Sequence, residues 1–150
     1  MIRILICRTL AIHYGCAAVW AAENSIYDVG MEWKPSVSFV QHGDPVKVLG
    51  TIGHDTEMIE MMIPAGAVGW KSKLGGESFS VIIKMEGIYI FKRNLHIVAG
   101  VVGGIVIGDR RKPVNLTELQ TRLKKVRVVR NSVKKIITKI IKVVNVKTVK

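Results

Sequence analysis

Residues 79–92, FSVIIKMEGIYIFK, carry the strand pattern that decides the fold class. Phe79 and Val81 alternate with serines, and the run is rich in β-branched and aromatic residues. This period of two is typical of a half-buried β-strand. Glu86-Gly87 interrupts the run, and glycine tolerates the positive φ that a tight hairpin turn needs. We therefore predict a β-hairpin from Val81 to Lys92, turning at Glu86-Gly87.

The same alternation extends on the N-terminal side of this stretch. It recurs in three further segments, namely Val37 with Phe39, Val46 with Val48, and Ile59 with Met61 and Ile63. The breaks between segments are turn sequences rich in Gly, Pro and Asp, at residues 42–45, 64–66 and 75–76. Short strands at this spacing predict a mainly β domain, a small barrel or sandwich, over residues 33–108.

Residues 95–108, LHIVAGVVGGIVIG, permit two interpretations. Glycines recur every fourth residue, at Gly100, Gly104 and Gly108, and on a helix they would form a smooth ridge like those of packed membrane helices. The run is shorter than the ~20 residues that a membrane span requires. A hairpin turning at Gly103-Gly104 fits the preceding β pattern better, and both interpretations stay open at this point.

The C-terminal segment changes to a helical period. Asn115 followed three residues later by Glu118 is typical of a helix start. A 3-4 spacing follows at Leu116, Leu119, Leu123, Val126, Arg130, Val133, Ile137, Ile140 and Val144. The pattern predicts a basic amphipathic C-terminal helix over residues 115–144, within a tail of residues 113–150. Its apolar seam resembles that of a coiled coil, which would make the protein a homo-oligomer.

The net charge of +12 is concentrated in this C-terminal segment. Residues 1–108 contain nine basic and nine acidic residues, whereas residues 109–150 contain fourteen basic and two acidic ones. Such a segment attracts polyanions. We predict anion binding by twelve of its residues: Arg110, Arg111, Lys112, Arg122, Lys124, Lys125, Arg127, Arg130, Lys134, Lys135, Lys139 and Lys142.

The N-terminus predicts export. Residues 1–22 contain no acidic residue, Arg3 and Arg8 precede a mostly apolar run, and Val19-Trp20-Ala21 matches a cleavage pattern. We predict a signal peptide over residues 1–21 and a periplasmic, envelope or extracellular location, with a cytoplasmic or virion location as the alternative. Both cysteines, Cys7 and Cys16, would leave with this peptide.

Groups capable of catalysis or metal binding are few. His42 lies near Asp44, and His54 precedes Asp55. Acid–base catalysis needs a histidine near a carboxylate, and a metal needs three or four converging ligands. Both pairs lie at glycine-flanked turns, and neither matches a metal-binding spacing. The sequence therefore predicts no catalytic residue, no metal site and no cofactor, and a protein that is not an enzyme.

Three functional hypotheses follow from this division of charge. The first is an exported, membrane-associated structural protein of the envelope or surface, whose β domain contacts proteins and whose cationic helix binds an anionic membrane surface or an acidic protein. The second is an intracellular or virion protein that binds nucleic acid non-specifically through its basic tail. The third is a structural subunit of a secretion apparatus or virus particle that oligomerises through the C-terminal heptads.

Overall fold

The computed structural model describes residues 24–50, 52–75, 77–94 and 99–146. The strands are β1 (Asn24–Val29), β2 (Glu32–Lys34), β3 (Val37–Val40), β4 (Pro45–Leu49), β5 (Glu57–Met58), β6 (Phe79–Ile82), β7 (Gly87–Lys92) and β8 (Val102–Ile107). The α-helices are α1 (Leu116–Arg122) and α2 (Arg130–Val146), and short 3-10 turns lie at Glu60–Met62 and Leu123–Lys125. The predicted signal peptide lies outside these ranges.

The strands form two four-stranded sheets. The first has the order β2-β1-β4-β6, and the second has the order β3-β8-β7-β5. β1 pairs with β4 and β3 pairs with β8 in parallel, while the other neighbours are antiparallel. The parallel pairs fix the connections, because β1 and β4, like β3 and β8, are joined through other elements rather than by a tight turn.

Two apolar clusters hold the layers together. One fills the space between the sheets and includes Ile26, Trp33, Val48 and Phe91. The other lies between the second sheet and the helices; its buried residues include Ile88, Ile90, Val106, Leu119, Val133, Ile136 and Ile140. β7 and β8 are therefore covered on both faces, which explains why their sequences are continuously apolar rather than alternating.

The coarse prediction of the fold is confirmed, since the described chain is mainly β with a helical C-terminal part. Of the two β architectures predicted, the sandwich is present, because the described strands form two open sheets and no closed barrel. β3 and β4 coincide with the predicted strands at Val37 and Val46. The segment from Ile59 to Ile63 is instead mostly a 3-10 turn.

Both predicted hairpins are wrong. β6 pairs with β4 in the first sheet, whereas β7 belongs to the second sheet. Glu86 therefore lies in a connection between the sheets, and Gly87 begins β7. β8 runs straight through Gly103 and Gly104, and the described turn before it lies at Gly100, where φ is +71°. The alternative membrane interpretation fails for the described part of residues 95–108, because that part is turn and strand. Residues 95–98 lie outside the described ranges. No helix among the described residues is long and apolar enough to cross a membrane.

The predicted single C-terminal helix is divided into α1 and α2. Val126 has an extended backbone, which separates the two helices. The apolar positions of the predicted seam face the protein's own second sheet: Leu119, Val133 and Ile140 are fully buried there. The segment is thus part of the folded body, and the seam is already occupied within one chain. Basic amphipathic character along the whole segment is not shown.

Candidate functional site

A group of ionisable side chains lies at one end of the sandwich. Asp28 comes from the end of β1, Arg93 follows β7 directly, and His54 lies in the connection before β5. Arg93 has no exposed surface and the side chain of Asp28 is 1% exposed, whereas that of His54 is 28% exposed. Buried charges of this kind are rare unless they are paired. These three residues are here called the Asp28 cluster.

Arg93 connects the two sheets. Its Nη2 forms an ion pair with Oδ1 of Asp28, and its Nη1 donates a hydrogen bond of 2.7 Å to the carbonyl of Gly30. The guanidinium carbon lies 5.6 Å from the ring centroid of Trp33, a cation–π distance. Burial lowers the pKa of Arg93 below its usual value, yet a guanidinium stays charged at any ordinary pH. A permanent cation is therefore fixed between the sheets.

Asp28 is engaged on both of its carboxylate oxygens. Nδ1 of His54 lies 3.0 Å from Oδ2, opposite the oxygen that Arg93 contacts. The backbone at Gly50 passes close to Asp28: a Cβ at Gly50 would lie 3.0 Å from its carbonyl oxygen, and φ is +76° there. Glycine thus permits the end of β4 to approach the cluster.

A second polar network flanks the Asp28 cluster through Asn94. The backbone amide of Asn94 donates to Oδ1 of Asp55 at 3.0 Å, and its side-chain amide donates to Oδ2 at 2.7 Å. The same amide donates to Glu57 at 2.5 Å, and Lys71 lies 3.7 Å from that carboxylate. These contacts fix the backbone that follows Arg93 against the segment that carries His54.

The structure separates the histidines that the sequence singled out. His42 lies at the opposite end of the sandwich, where its Nε2 is 2.8 Å from the carbonyl of Lys84. His54 and Asp55 do have structural partners, Asp28 and Asn94. Within the described ranges, no three His, Cys, Asp or Glu side chains are placed to hold a metal ion.

The twelve residues predicted to bind anions are spread along the C-terminal segment. Arg111 pairs with Asp109, and Arg122 pairs with Glu118. Arg130 donates to backbone carbonyls, and Nζ of Lys139 lies 2.8 Å from the hydroxyl of Ser36. Four of them, Lys134, Lys135, Lys139 and Lys142, line an open cleft of about 810 Å³ beside α2. Their anion binding stays a prediction.

Sequence reasoning missed Asp28 and Arg93. The two are 65 positions apart, and only the pairing of the sheets brings them together. One signal was present in the sequence: Lys92, Arg93 and Asn94 interrupt an apolar run that begins at Ile88 and resumes at Leu95. A cation inside such a run needs a buried partner. That partner is Asp28, the one acidic residue of β1.

Comparison with known proteins finds pseudoazurins. A curated pseudoazurin of Methylorubrum extorquens is 38% identical over 82 residues, which are 54% of this chain and 55% of that protein. A protein assigned to the pseudoazurins in Rhizobium leguminosarum bv. viciae is 30% identical over 123 residues, 77% of this chain and 79% of that protein. The crystal structure of the Methylobacterium extorquens AM1 pseudoazurin superposes with a TM-score of 0.66 at 29% identity, covering 79% of this chain and 99% of that one. No family model matches the chain.

These similarities contradict the three functional hypotheses. An envelope structural protein, a nucleic-acid binder and an oligomerising subunit were inferred from the basic tail, but the relatives are pseudoazurins, which are periplasmic copper electron-transfer proteins. The predicted partners, namely an anionic membrane surface, an acidic protein, nucleic acid and a second copy of the chain, are wrong for the same reason. Export in general agrees with the relatives.

The fold therefore implies a copper ion, and the described residues do not fit one. A blue-copper site takes two histidine nitrogens and one cysteine sulfur, with a distant axial methionine. The described part of the chain contains no cysteine, because Cys7 and Cys16 both precede it. Its two imidazoles, His42 and His54, lie at opposite ends of the sandwich. His54 shares its partner Asp28 with the guanidinium of Arg93, and a guanidinium has no lone pair for a metal.

Proposed function

Because this chain belongs to the pseudoazurin family, we propose that it recognises the redox-partner proteins of that family. The family relationship is the single observation that carries this proposal. The curated pseudoazurins are matched over unequal shares of their length, 55% for Methylorubrum extorquens and 61% for Paracoccus pantotrophus. We therefore infer the role of this chain from its fold and its own surface. The proposed role includes no copper-dependent step.

The docking surface that we propose is the end of the sandwich above the Asp28 cluster. Three apolar side chains are exposed there: Val29 by 44%, Met31 by 56% and Ile52 by 83%. Val29 and Met31 flank Gly30, whose carbonyl accepts a hydrogen bond from Arg93, and Ile52 precedes His54 by two residues. Exposed apolar residues grouped around a rigid polar centre are typical of protein recognition sites.

A complex formed at this surface is expected to be weak and short-lived. Redox complexes lie at the small end of protein interfaces, below about 1,200 Å² of buried area. The Asp28 cluster holds the backbone beneath the apolar residues through contacts to β1, to the connection before β5 and to the residues after β7. A backbone fixed in this way loses little conformational freedom on docking, which favours binding.

The location and the class of the protein belong to the same proposal. We propose that the chain is exported to the periplasm, which is the compartment of its relatives. We also propose that it is not an enzyme, in agreement with the small number of groups capable of acid–base catalysis.

The test is a titration of the isotope-labelled chain with a nitrite reductase of the kind that accepts electrons from pseudoazurins. We expect the NMR shifts to change around Val29, Met31 and Ile52. Ile52→Ser should weaken the binding several-fold, because it replaces an apolar contact with a hydroxyl. Val114→Ser is the matched control, since Val114 is 70% exposed but follows β8 at the other end of the sandwich.

Two outcomes would contradict the proposal. One is the absence of any shift change at concentrations where a copper-loaded pseudoazurin binds the same reductase. The other is a pattern of shifts centred on Val114 rather than Ile52, with Val114→Ser the weaker binder.

A further inference from the structure

We infer that Arg93 is a built-in cation that takes the place of a metal ion in the Asp28 cluster, joining the loops while keeping divalent metals out. The other two groups, the carboxylate of Asp28 and the imidazole of His54, are of the types that bind zinc and copper. They lie 3.0 Å apart, close enough to share one ion. This inference concerns metal chemistry and does not depend on the proposed docking role.

The contacts of Arg93 are those of a cross-link. It reaches Asp28 at the end of β1 and the carbonyl of Gly30 in the following turn, and it lies over Trp33 of β2. Its own amide donates to the carbonyl of Val101 at 3.1 Å, just before β8. Both sheets are thus held at one point by a side chain that bears a positive charge. A metal bound by loop residues stabilises a fold in the same manner.

The same charge opposes metal binding. Asp28 presents one oxygen to Arg93 and the other to His54, and its side chain is 1% exposed, so a metal would have to displace a partner. A divalent ion held by Asp28 and His54 would lie within a few ångströms of a guanidinium that cannot lose its proton. At such distances the repulsion lowers the metal affinity by at least about a hundredfold.

The experiment measures metal binding by the full chain with Cu²⁺ alone and Zn²⁺ alone. Its background carries Cys7→Ser, Cys16→Ser, His13→Ala and His96→Ala, which removes strong ligands from segments outside the described ranges. Calorimetry gives the affinity, and electron paramagnetic resonance gives the copper coordination. We expect the background protein to show no site of micromolar affinity. Arg93→Met should raise the affinity for either ion at least about a hundredfold, because the repulsion is removed.

Two matched variants connect this gain to the cluster. Adding His54→Ala to Arg93→Met should abolish the gain, since it removes the nitrogen ligand. Arg111→Met should change nothing, because Arg111 also pairs with an aspartate, Asp109, but at an exposed site. Arg93→Lys keeps a cation beside Asp28 and should stay free of metal.

The inference is overturned if the background protein binds copper or zinc tightly and loses that binding with His54→Ala. It is equally overturned if folded Arg93→Met binds metal no better than the background protein. Should Arg93→Met fail to fold, the titration of the background protein and its His54→Ala variant decides the question alone. All of these measurements are made without a redox partner, so failure of the docking proposal would leave them unchanged.

Discussion

Asn115 brackets the backbone of Ile88: its Oδ1 accepts the amide hydrogen of Ile88 at 2.7 Å, and its Nδ2 donates to the carbonyl of Ile88 at 3.0 Å. Both hydrogen bonds are buried. The sequence pattern predicted a helix start at Asn115, and the side chain of Asn115 makes no capping hydrogen bond there. Asn115 instead fixes the start of α1 to β7.

Asn115→Ala should therefore lower the free energy of unfolding by about 2–4 kcal/mol, because it leaves a buried donor and a buried acceptor of Ile88 without partners. Denaturant titration measures this loss. Asn131→Ala, at an exposed position of α2, is the control and should change stability by less than about 0.5 kcal/mol. A loss for Asn115→Ala as small as that of the control would show that water replaces the side chain.

Gly104 permits α2 to lie close to the second sheet. A Cβ at this position would lie 2.6 Å from Cγ2 of Ile136, so alanine would overpack the contact. We expect Gly104→Ala to destabilise the chain by about 1–3 kcal/mol. In an Ile136→Ala background, Gly104→Ala should cause a smaller loss of stability. A double-mutant cycle measures that coupling. Additive losses in the cycle would contradict the proposed contact.

The two helices were predicted as a tail. Because they pack on the second sheet, we expect substitutions in them to change the stability of the whole fold. Ile140 has no exposed surface, whereas Val143 on the same helix is 38% exposed. Ile140→Ala should cost about 2–5 kcal/mol through the cavity that it leaves. Val143→Ala should cost less than about 1 kcal/mol. Equal and small effects in thermal unfolding would show that α2 contributes little to the body.

Local patterns predicted several of the strands, but not their partners. The alternation at Val46 and Val48 is present in β4, because one face of that strand packs between the sheets. A period of two identifies a strand without specifying what it pairs with. Hence Val81 and Ile88 were assigned to one hairpin, although their strands lie in different sheets.

The candidate site was harder still to predict, because its contacts are long-range. His54 and Asp55 were recognised as the polar residues of a turn, and both do hold partners there. Asp28 and Arg93 were not recognised, since Asp28 lies within β1, Arg93 follows β7, and the two are far apart in sequence. Their pairing depends on the order of strands in both sheets, which a local pattern does not contain.

Tyr89 should make the fold sensitive to alkaline pH. It has no exposed surface, its hydroxyl donates to the carbonyl of Met85 at 2.8 Å, and burial raises its pKa above the usual 10.0. Folding therefore favours the neutral phenol. The resulting stability is complete below about pH 10 and is lost as the pH rises through the higher pKa of the folded state.

Tyr89→Phe should lose about 1 kcal/mol at neutral pH with the hydrogen bond. Its stability should decline less than that of the unmodified chain above pH 10, because the buried phenol is gone. Tyr27→Phe serves as the control, since Tyr27 is 49% exposed. Denaturant titrations across the alkaline range give the slope of the free energy of unfolding against pH for each protein. Identical slopes for the unmodified chain and Tyr89→Phe would remove Tyr89 as the cause.

Replacing only one partner of the Asp28–Arg93 ion pair should strongly destabilise the fold. Asp28→Ala leaves a buried guanidinium without its carboxylate, so we expect a loss of about 3–5 kcal/mol. Asp109→Ala breaks an exposed aspartate–arginine pair and should cost far less stability than Asp28→Ala. Replacing both partners, as in Asp28→Ala with Arg93→Met, should recover part of the loss, because no unpaired charge stays buried. A double variant less stable than Asp28→Ala alone would show that the cross-links of Arg93 to Gly30 and Trp33 outweigh the cost of its unpaired charge.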